Sequence, residues 1–419
     1  MQRFDVMVIG GGPAGLIAAG RAAEKGAAVL LVEKNASVGE KLLISGRGRC
    51  NFTNSRLDAD SFLARYGEKG GEFLRPAMSL FGPERTMAFF RQGGVKVTVE
   101  RGGRAFPEPG AGSGSVKKSP SGARLVMNRL LAYCGRGLVR FLRNTPVMGI
   151  NVKNGHIDRV ITRSDELGAG RYVLATGGMS YPKTGSTGDG YRFARQAGHS
   201  IVTPTPALVP VAVRETWVKL AKGFDLRNVR LTVRVDGEEC PSMARFGEME
   251  FTNFGVSGPI VMDVSASLPE LMAKGTVTLH LDLKPALTLE KLADRVGRGF
   301  AGREGRDVAG GMAGLLPRAL IPMFMAVLGA SPREQPAALG IARLLKDITM
   351  TVTHLWSFDH AIVTKGGVSL DEVDPQTMRS RLCPNLSFAG ELLDLNGPTG
   401  GFNLQLCWST GYLAGENAN

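Results

Sequence analysis

The chain has 419 residues, a formal net charge of +13 and 43% hydrophobic residues, an ordinary globular composition with enough length for two or three hydrophobic cores. Its five cysteines are dispersed without a CxxC pair, and neither they nor the five histidines have metal-ligand spacing, which excludes a disulfide scaffold and a zinc site and predicts reduced thiols in a cytoplasmic protein. We see neither a signal peptide nor an apolar run of about 18 residues, so we expect a soluble protein without a membrane span.

The first 33 residues have the pattern of a strand, a glycine turn, a helix and a second strand. The apolar run Phe4–Ile9 leads into Gly10-Gly11-Gly12-Pro13-Ala14-Gly15, and a helical pattern follows from Leu16 to Lys25. A second apolar run, Ala28–Val32, ends on Glu33. Strand, turn, helix, strand and acid within about 30 residues form the dinucleotide-binding fingerprint.

Each residue type in this fingerprint has a physical role. Gly10 makes the tight turn, Gly12 lets the backbone approach a pyrophosphate, and Gly15 lets the helix pack closely on the strand. The phosphates then lie at a helix N-terminus, where free N–H groups and the helix dipole favour negative charge. Glu33 is placed to accept hydrogen bonds from the hydroxyls of the adenosine ribose.

Further elements follow in the first half of the chain. A loop rich in Gly, Arg and Asn covers Gly39–Asn54, and a basic connection without periodicity covers Glu108–Gly122. Two strand-like runs, Val147–Val152 and Ile157–Thr162, flank Asn154-Gly155 and predict a hairpin. Tyr172–Ala175 is another strand that leads into glycine.

The pattern changes in the second half. Short strand-like runs from Thr203 to Leu283, among them Leu208–Val213, indicate an antiparallel barrel or sheet, and Thr288–Leu345 has a helical pattern. The pattern of the first half, a strand-like run that leads into glycine, occurs again at Leu386–Glu391. The predicted fold class is therefore α/β, with a discontinuous Rossmann-like domain and two insertions. The predicted boundaries are 1–194 and 347–419 for the nucleotide-binding domain, 195–285 for an inserted β-barrel subdomain and 286–346 for an inserted helical subdomain.

Positive charge is concentrated in one stretch. From Arg85 to Arg143 there are twelve lysines and arginines against only Glu100 and Glu108. This region predicts a polyanionic partner, such as RNA or a phosphorylated substrate. The alternative is a solvated basic surface on a protein that binds a pyrophosphate elsewhere.

A second glycine loop lies near the end of the chain. The strand-like run Leu386–Gly390 ends on Glu391, and Gly397–Gly401 opens a helical pattern from Asn403 to Tyr412. A nicotinamide dehydrogenase has no evident need for a second helix N-terminus. A flavin-binding protein does, because the reduced flavin ring carries negative charge that a helix N-terminus stabilises. Glu391 would hold the ribityl or phosphate region of that flavin. The alternative is an ordinary strand, turn and helix at the end of a domain.

Seven motifs spread over almost the whole chain resemble one known family. They are GGGPAG from Gly10, GEKLLISGRGRCNFTN from Gly39, ATGGMSYPKTGSTGDGY from Ala175, PALVPV from Pro206, GEMEFTNFGVSGP from Gly247, VTKGGVSLDEV from Val363 and FAGELLDLNGPTGGFNLQ from Phe388. On these motifs the sequence resembles the BaiN/RdsA-type (YhiN-like) bacterial flavoproteins. It departs from them at Arg47, where the family usually has glycine, and at Lys365, where the family has a small residue.

The resemblance implies a resident FAD, a Rossmann-like FAD-binding domain and inserted β-barrel and helical subdomains. The chain has no second GxGxxG after a strand, so NAD(P)H would act as a transient reductant that docks against the flavin. Val147 would contact adenine through its backbone. The residues predicted to line FAD, from the fingerprint and the resemblance together, are Gly10, Gly12, Pro13, Ala14, Gly15, Glu33, Lys34, Lys41, Ser45, Gly46, Val147, Ala175, Thr176, Gly177, Gly390, Glu391, Gly400, Gly401, Asn403 and Leu404.

Family members with assigned activity are reductases of activated C=C bonds, in bile-acid enones or in uridine of large-subunit ribosomal RNA. Such a reaction needs a hydride on the β-carbon, donors for the developing enolate and an acid for the α-carbon. Our hypothesis for the acid is Cys50, because its arginine neighbours would lower its pKa, with Asn51 or Arg49 polarising the carbonyl. The alternative for Cys50 is a buried structural thiol. Tyr181 is a second possible donor.

The sequence therefore predicts an FAD-dependent, NAD(P)H-fed reductase of a conjugated C=C bond, acting on ribosomal RNA or on a small enone. Two alternatives remain open. One is an RNA- or ribosome-binding flavoprotein that keeps FAD for structure, and the other is a flavin monooxygenase.

Overall fold

The chain forms two units in the computed structural model, which describes residues 4–108, 120–137, 139–300, 311–312, 314–329 and 338–418. The first unit combines Met1–Pro206 with Ile362–Asn419, and the second is Ala207–Ala361. The finer division into four parts stays a prediction. Most of the predicted basic connection between Glu108 and Gly122, including Lys117 and Lys118, lies outside the described residues.

Strands and helices are numbered here along the described residues. The strands are β1 Phe4–Ile9, β2 Val29–Val32, β3 Thr53–Asn54, β4 Val97–Val99, β5 Arg104–Pro107, β6 Val139–Leu142, β7 Val147–Lys153, β8 His156–Thr162, β9 Glu166–Leu167, β10 Ala169–Leu174, β11 Ile201–Ala207, β12 Val211–Val213, β13 Asp225–Val235, β14 Glu238–Glu239, β15 Arg245–Phe251, β16 Gly255–Ser257, β17 Val277–Asp282, β18 Ile348–Leu355, β19 Val363–Val368 and β20 Leu386–Phe388. The α-helices are α1 Pro13–Glu24, α2 Glu40–Ile44, α3 Ala59–Leu63, α4 Gly67–Leu80, α5 Pro83–Gln92, α6 Gly122–Gly135, α7 Asp189–Gln196, α8 Pro259–Ser265, α9 Leu268–Met272, α10 Leu289–Phe300, α11 Ile321–Leu328, α12 Ala338–Lys346 and α13 Phe402–Glu416.

A five-stranded sheet, in the order β20-β10-β1-β2-β6, organises the first unit. Every pairing in it is parallel. Val6–Ile9 of β1, all of β2 and Tyr172–Leu174 of β10 are buried, as expected for the centre of a parallel sheet. The first predicted strand, helix and strand are confirmed as β1, α1 and β2. Because α1 crosses from β1 to its parallel neighbour β2, the carboxyl end of β1 meets the start of α1, where ligands of such sheets bind.

Two small antiparallel sheets, β3-β5-β4 and β7-β8-β9, and the pair β11-β19 complete the strands of the first unit. The predicted hairpin around Asn154-Gly155 is confirmed as β7 and β8. α13 packs along α1. Residues from both ends of the sequence therefore share one hydrophobic core. This explains why a buried strand followed by a glycine loop and a helix occurs again near the end of the chain.

The second unit has a seven-stranded sheet in the order β14-β13-β15-β16-β12-β18-β17, and its pairings described here are antiparallel. β13 also pairs with β17. The predicted run Leu208–Val213 is wrong as one strand, since Leu208 has a left-handed backbone with φ of 52° and β12 begins only at Val211. Buried residues of the strands and of α8, α10, α11 and α12 share one core.

Within the described residues, no helix has the length and apolar character needed to cross a membrane. Among the same residues, no group of three or more His, Cys, Asp and Glu side chains is arranged to hold a metal ion. All five cysteines are free thiols.

Candidate functional site

The start of α1 forms the first half of the site. Gly10, with φ of 106°, ends β1, and Gly12 is the N-cap of the helix. A Cβ on Gly12 would meet no atom within 4 Å, whereas a Cβ on Gly15 would lie 1.9 Å from the carbonyl oxygen of Gly10. The backbone is therefore in close contact between Gly10 and Gly15 and leaves open space at Gly12. Open space at the helix N-terminus fits a diphosphate.

Glu33 lies at the end of β2 and is 8% exposed. Its Oε2 accepts the N–H of Gly11 at 2.8 Å, and its Oε1 accepts the N–H of Asn35 at 2.8 Å. The N–H of Thr145 donates to the backbone oxygen of Glu33 at 3.0 Å. The residues that lead into Val147 therefore lie beside Glu33. Each carboxylate oxygen keeps a further lone pair, so the predicted contact with ribose hydroxyls remains available.

Lys34, another residue of the predicted set, follows Glu33 in the chain. Lys34 Nζ donates to Thr187 Oγ1 at 2.5 Å and to Asp189 Oδ2 at 2.6 Å. Burial raises the pKa of Asp189, but hydrogen bonds from Lys34 and Thr187 outweigh it and lower the pKa below its ordinary value. Lys34 therefore ties β2 to the start of α7, and Asp189 stays ionised.

A polar network joins four distant parts of the first unit. Lys41 Nζ donates to Ser180 Oγ and to Glu391 Oε2, both at 2.9 Å. Glu391 Oε1 accepts the Ser180 hydroxyl at 2.7 Å and the N–H of Thr364 at 2.8 Å. We predicted Lys41 and Glu391 as site residues but missed Ser180 and Thr364. Both lie within the motifs quoted above, yet a lone Ser or Thr gives no signal of its own.

The strand end opposite Gly10 carries Ala175, Thr176 and Gly177. A Cβ on Gly10 would lie 2.5 Å from the oxygen of Ala175, so the two strand ends touch. Thr176 Oγ1 is buried without a hydrogen-bond partner. The hydroxyl of Tyr191 is also buried and unpartnered, and burial raises its pKa well above the ordinary value.

The second glycine loop leads into α13. Gly401, with φ of 101°, is the N-cap, and a Cβ there would lie 2.4 Å from the oxygen of Thr53. Asn403 Oδ1 accepts the N–H of Gly397, and its Nδ2 donates to the oxygen of Gly397, both at 2.8 Å. Asn403 therefore closes the loop, and the start of α13 lies against β3. The predicted neighbours Gly390, Gly400 and Leu404 lie in the same region of the chain.

The loop from Gly39 to Asn54 is anchored to this second helix. Trp408 Nε1 donates to the oxygen of Phe52 at 2.9 Å, and Thr53 Oγ1 donates to Gln405 Oε1 at 2.6 Å. Asn51 Oδ1 is buried without a partner. An unsatisfied buried oxygen costs about 1–3 kcal/mol, so a ligand donor at Asn51 would be stabilising.

The turn before Cys50 is conformationally unusual. Ser45 Oγ donates to the oxygen of Leu42 at 2.7 Å, and Gly46 and Arg47 follow with φ of 55° and 56°. The left-handed region favours glycine. This backbone explains why glycine suits position 47, where this chain has arginine.

The expected lowering of the Cys50 pKa is wrong. Cys50 is fully buried, and burial raises the pKa of its thiol to about 12, although the Ser45 side chain acts in the opposite direction. The Arg49 guanidinium lies 4.1 Å from the centre of the Phe106 ring and pairs with Glu100. Arg49 thus interacts with Glu100 and Phe106, and loss of hydration determines the pKa of the Cys50 thiol.

We expect the free energy of unfolding of Cys50→Ser to fall less steeply between pH 9 and pH 12 than that of the wild type. The thiol pKa is about 12 in the folded chain against an ordinary 9.0, so its stabilising effect is complete below pH 9 and is lost as the pH rises towards 12. Over that window one titrating group contributes a slope of about 1.4 kcal/mol per pH unit. Urea unfolding across this range measures the slope. An identical slope in Cys50→Ser and the wild type would contradict the buried thiol.

The predicted residues therefore fall into two groups. The first lies around the start of α1 (Gly10, Gly12, Pro13, Ala14, Gly15, Glu33, Ala175, Thr176 and Gly177), and the second is at the start of α13 (Gly400, Gly401, Asn403 and Leu404). The loop that carries Ser45, Gly46, Cys50 and Asn51 reaches the second group through Thr53 and Asn54. The network of Lys41 and Glu391 adjoins the first group through Gly177 and Gly390. Open space at Gly12, unpaired oxygens at Asn51 and Thr176, and two helix N-termini fit a dinucleotide with a charged ring.

Comparisons with known proteins agree with this geometry. The model of the HI0933-like protein Rossmann domain matches residues 4–417. The chain is 30% identical to the 3-dehydro-bile acid delta(4,6)-reductase of Clostridium scindens, over 98% of both chains. It is 27% identical to the ribosomal RNA dihydrouridine synthase of Escherichia coli, over 100% of this chain and 98% of the relative.

Among solved structures, the chain is similar to the 3-ketosteroid-delta4-(5alpha)-dehydrogenase of Rhodococcus jostii RHA1, with a TM-score of 0.55 and 14% identity over 99% of this chain and 96% of that one. This likeness supports the fold alone. The family matches confirm the resemblance expected from the motifs. The chain belongs to the HI0933-like family and is an FAD-dependent oxidoreductase with a Rossmann-type FAD-binding domain.

Proposed function

We propose that this oxidoreductase is an NAD(P)H-fed reductase of a C=C bond conjugated to a carbonyl group, and that its substrate is a uracil ring in ribosomal RNA. The net charge of +13 carries the choice of RNA, because a polyanion is bound by an excess of lysine and arginine. Two relatives named ribosomal RNA dihydrouridine synthase, from Escherichia coli and Haemophilus influenzae, support the same choice.

Two helix N-termini would hold the cofactor. The start of α1, with Gly12 and Glu33, would take the diphosphate and the adenosine ribose, and the start of α13 would face the negative charge of the reduced ring. FAD supplies the hydride when it is bound. The protein's own task is to bind and orient the substrate and to hold a proton at the right atom.

Asn51 is proposed to bind a ring that carries adjacent N–H and C=O groups. Its buried amide oxygen lacks a partner, and an amide can accept from such an N–H while donating to the neighbouring carbonyl. A uracil ring has this edge. The predicted polarising role of Asn51 rests on this match, and Arg49, with its guanidinium on Phe106, is the weaker candidate for that role.

Cys50 stays the predicted proton donor. Its thiol is protonated at neutral pH because its pKa is about 12, so it is a weak acid and never a base in that range. The Cys50→Ser protein described above also tests this role. An unchanged rate of flavin reoxidation by substrate assigns Cys50 to packing.

Two structural interpretations complete the proposal. We interpret the pairings of β13, β15, β16, β12, β18 and β17, which return to β13, as the inserted barrel subdomain, with α10, α11 and α12 in the helical subdomain. The free thiols at all five cysteines support the predicted cytoplasmic location.

We expect a strain that lacks this gene to lose one dihydrouridine from its large-subunit ribosomal RNA. Mass spectrometry of nuclease fragments would show one fragment lighter by two hydrogen atoms, because an unreduced uracil keeps its double bond. Complementation with the wild-type gene should restore the mass. An identical RNA profile in both strains would remove RNA as the substrate.

A small-molecule enone is the second candidate, favoured by the 30% identity to a reductase named for bile acids. Anaerobic reoxidation of the reduced protein by a steroid enone, but not by RNA, would select it. A requirement for oxygen would instead indicate the monooxygenase alternative. Slow bleaching by NADPH without turnover of any acceptor would indicate an RNA-binding protein with structural FAD.

A further inference from the structure

A nearly buried arginine lies in the basic stretch between Arg85 and Arg143. Arg129 belongs to α6 and is only 7% exposed. Its Nε donates to the oxygen of Phe89, in α5, at 3.2 Å. Within the described residues, its terminal nitrogens Nη1 and Nη2 have no hydrogen-bond partner, yet neither is closed off from solvent. The edge of the guanidinium that carries these two nitrogens therefore remains available to a ligand.

Packing fixes the orientation of this guanidinium. The rings of Phe89 and Tyr133 meet edge to face, with their centres 5.0 Å apart. The guanidinium carbon lies 4.3 Å from the centre of the Phe89 ring and 5.9 Å from that of the Tyr133 ring. A Cβ on Gly93 would lie 2.0 Å from Arg129 Cδ, so the chain that follows α5 covers the stem of the side chain. A side chain that is already ordered loses little conformational entropy when it binds a ligand.

Within the part of the chain that the structure describes, Arg129 forms no ion pair. The carboxylate of Glu24 acts on it, but Glu24 accepts hydrogen bonds from Tyr133 at 2.7 Å and from Arg21 at 2.6 Å. Burial lowers the pKa of Arg129, and repulsion by Arg136 lowers it further, whereas Tyr133 and Glu24 each act more weakly in the opposite direction. A bound anion would therefore stabilise this cation.

Two exposed arginines flank this side chain. Arg91 lies in the last turn of α5, and Arg136 is the C-cap of α6, seven residues after Arg129. Residues seven positions apart lie on the same face of a helix. Among the described residues, neither Arg91 nor Arg136 has a side-chain hydrogen bond or an ion pair. We call Phe89, Arg91, Arg129, Tyr133 and Arg136 the Arg129 site.

We propose that the Arg129 site binds a phosphate group in the backbone of an RNA strand, with Arg91 and Arg136 on neighbouring phosphates. The choice of RNA rests on the proposed function. Nη1 and Nη2 of one guanidinium can donate to two oxygens of the same phosphate. Three cations on two helices suit a chain of phosphates, whereas one free phosphate would engage mainly Arg129. The site also gives a role to the concentration of lysine and arginine between Arg85 and Arg143.

The test compares Arg129→Lys with two double variants. Arg129→Lys keeps the charge but removes the paired hydrogen bonds. Arg91→Gln with Arg136→Gln, the flanking variant, removes two charges beside Arg129. Arg163→Gln with Arg381→Gln is the matched control, which removes two exposed arginines elsewhere in the first unit. The probe is a fluorescein-labelled oligouridylate of about 20 nucleotides, titrated at several salt concentrations. Bound FAD and the melting temperature show whether each variant is folded.

We expect the flanking variant to bind the probe about 10-fold more weakly near physiological salt. Its slope of log K against log salt should be shallower by about 1.4, because two phosphate contacts are lost. Arg129→Lys should bind about 5-fold more weakly with an unchanged slope, since its charge remains. Equal losses in the flanking variant and the control, or wild-type binding by folded Arg129→Lys, would overturn the site. If Arg129→Lys does not fold, the flanking variant and its control decide.

Inorganic phosphate distinguishes the two sources of the same chemical group. Sodium phosphate and sodium chloride at equal ionic strength should displace the probe equally, because a single phosphate adds little beyond screening. Displacement by millimolar phosphate alone, lost in Arg129→Lys, would assign the site to a free phosphate and overturn RNA as its occupant.

The proposed function can fail separately. Unchanged ribosomal RNA in the deletion strain, together with weaker binding by the flanking variant, would refute uracil reduction and keep the Arg129 site as an RNA surface. A lost dihydrouridine, together with equal binding by the flanking variant and its control, would keep the function and refute the site.

Discussion

A Gly12→Val protein is expected to fold normally and to purify without FAD. Gly12 has an extended backbone, with φ of −78° and ψ of −175°, that valine also adopts. A Cβ there meets no protein atom within 4 Å, so the folded chain tolerates it. The added side chain would fill the space through which the backbone approaches a pyrophosphate, and we expect FAD affinity to fall at least about 100-fold, or roughly 2.7 kcal/mol.

The matched control is Gly15→Val in the same turn. A Cβ on Gly15 would lie 1.9 Å from the oxygen of Gly10 and 3.3 Å from Val8 Cγ1, so this variant should be destabilised or fail to fold. Flavin absorbance per protein, calorimetric titration with FAD and the melting temperature separate the two effects. A Gly12→Val protein that binds FAD like the wild type would contradict the assignment of the diphosphate to α1.

Much of the first unit was predictable because its signals are local. Strands of a parallel sheet are buried on both faces and have continuous apolar sequences, so β1 was found with its bounds, Phe4–Ile9. Its glycine turn and the acid after β2 have fixed spacing in the fingerprint. The helix at the end of the chain was predicted from Asn403 to Tyr412 and extends from Phe402 to Glu416, since Leu413, Ala414 and Glu416 are good helix formers.

The parts that were missed depend on contacts between distant residues. Thr364 Oγ1 accepts the N–H of Met179, 185 positions away, at 2.8 Å, and no periodicity in the sequence reports such a contact. Cys50 shows the same limit. Its arginine neighbours suggested a low pKa, but the folded chain buries Cys50 completely, and Arg49 pairs with Glu100. Burial outweighs a neighbouring charge that has another partner.

The network around Glu391 carries the largest expected effect on stability. Glu391→Ala should lower the free energy of unfolding by about 3–5 kcal/mol, because it leaves a partly buried ammonium group without its counter-ion. The side chains of Lys41 and Glu391 are only 22% and 14% exposed. The N–H of Thr364 and the hydroxyl of Ser180 would also lose their acceptor.

Lys41→Met in the Glu391→Ala background tests this cause, because it removes the unpaired charge and should recover part of the loss. Lys69→Met, which breaks the exposed pair with Asp371, is the matched control, since its side chains are 64% and 72% exposed and such pairs contribute about 0–1 kcal/mol. Urea unfolding of the FAD-containing proteins measures all three. A Glu391→Ala loss no larger than that of Lys69→Met would show that water, rather than Glu391, stabilises the Lys41 ammonium.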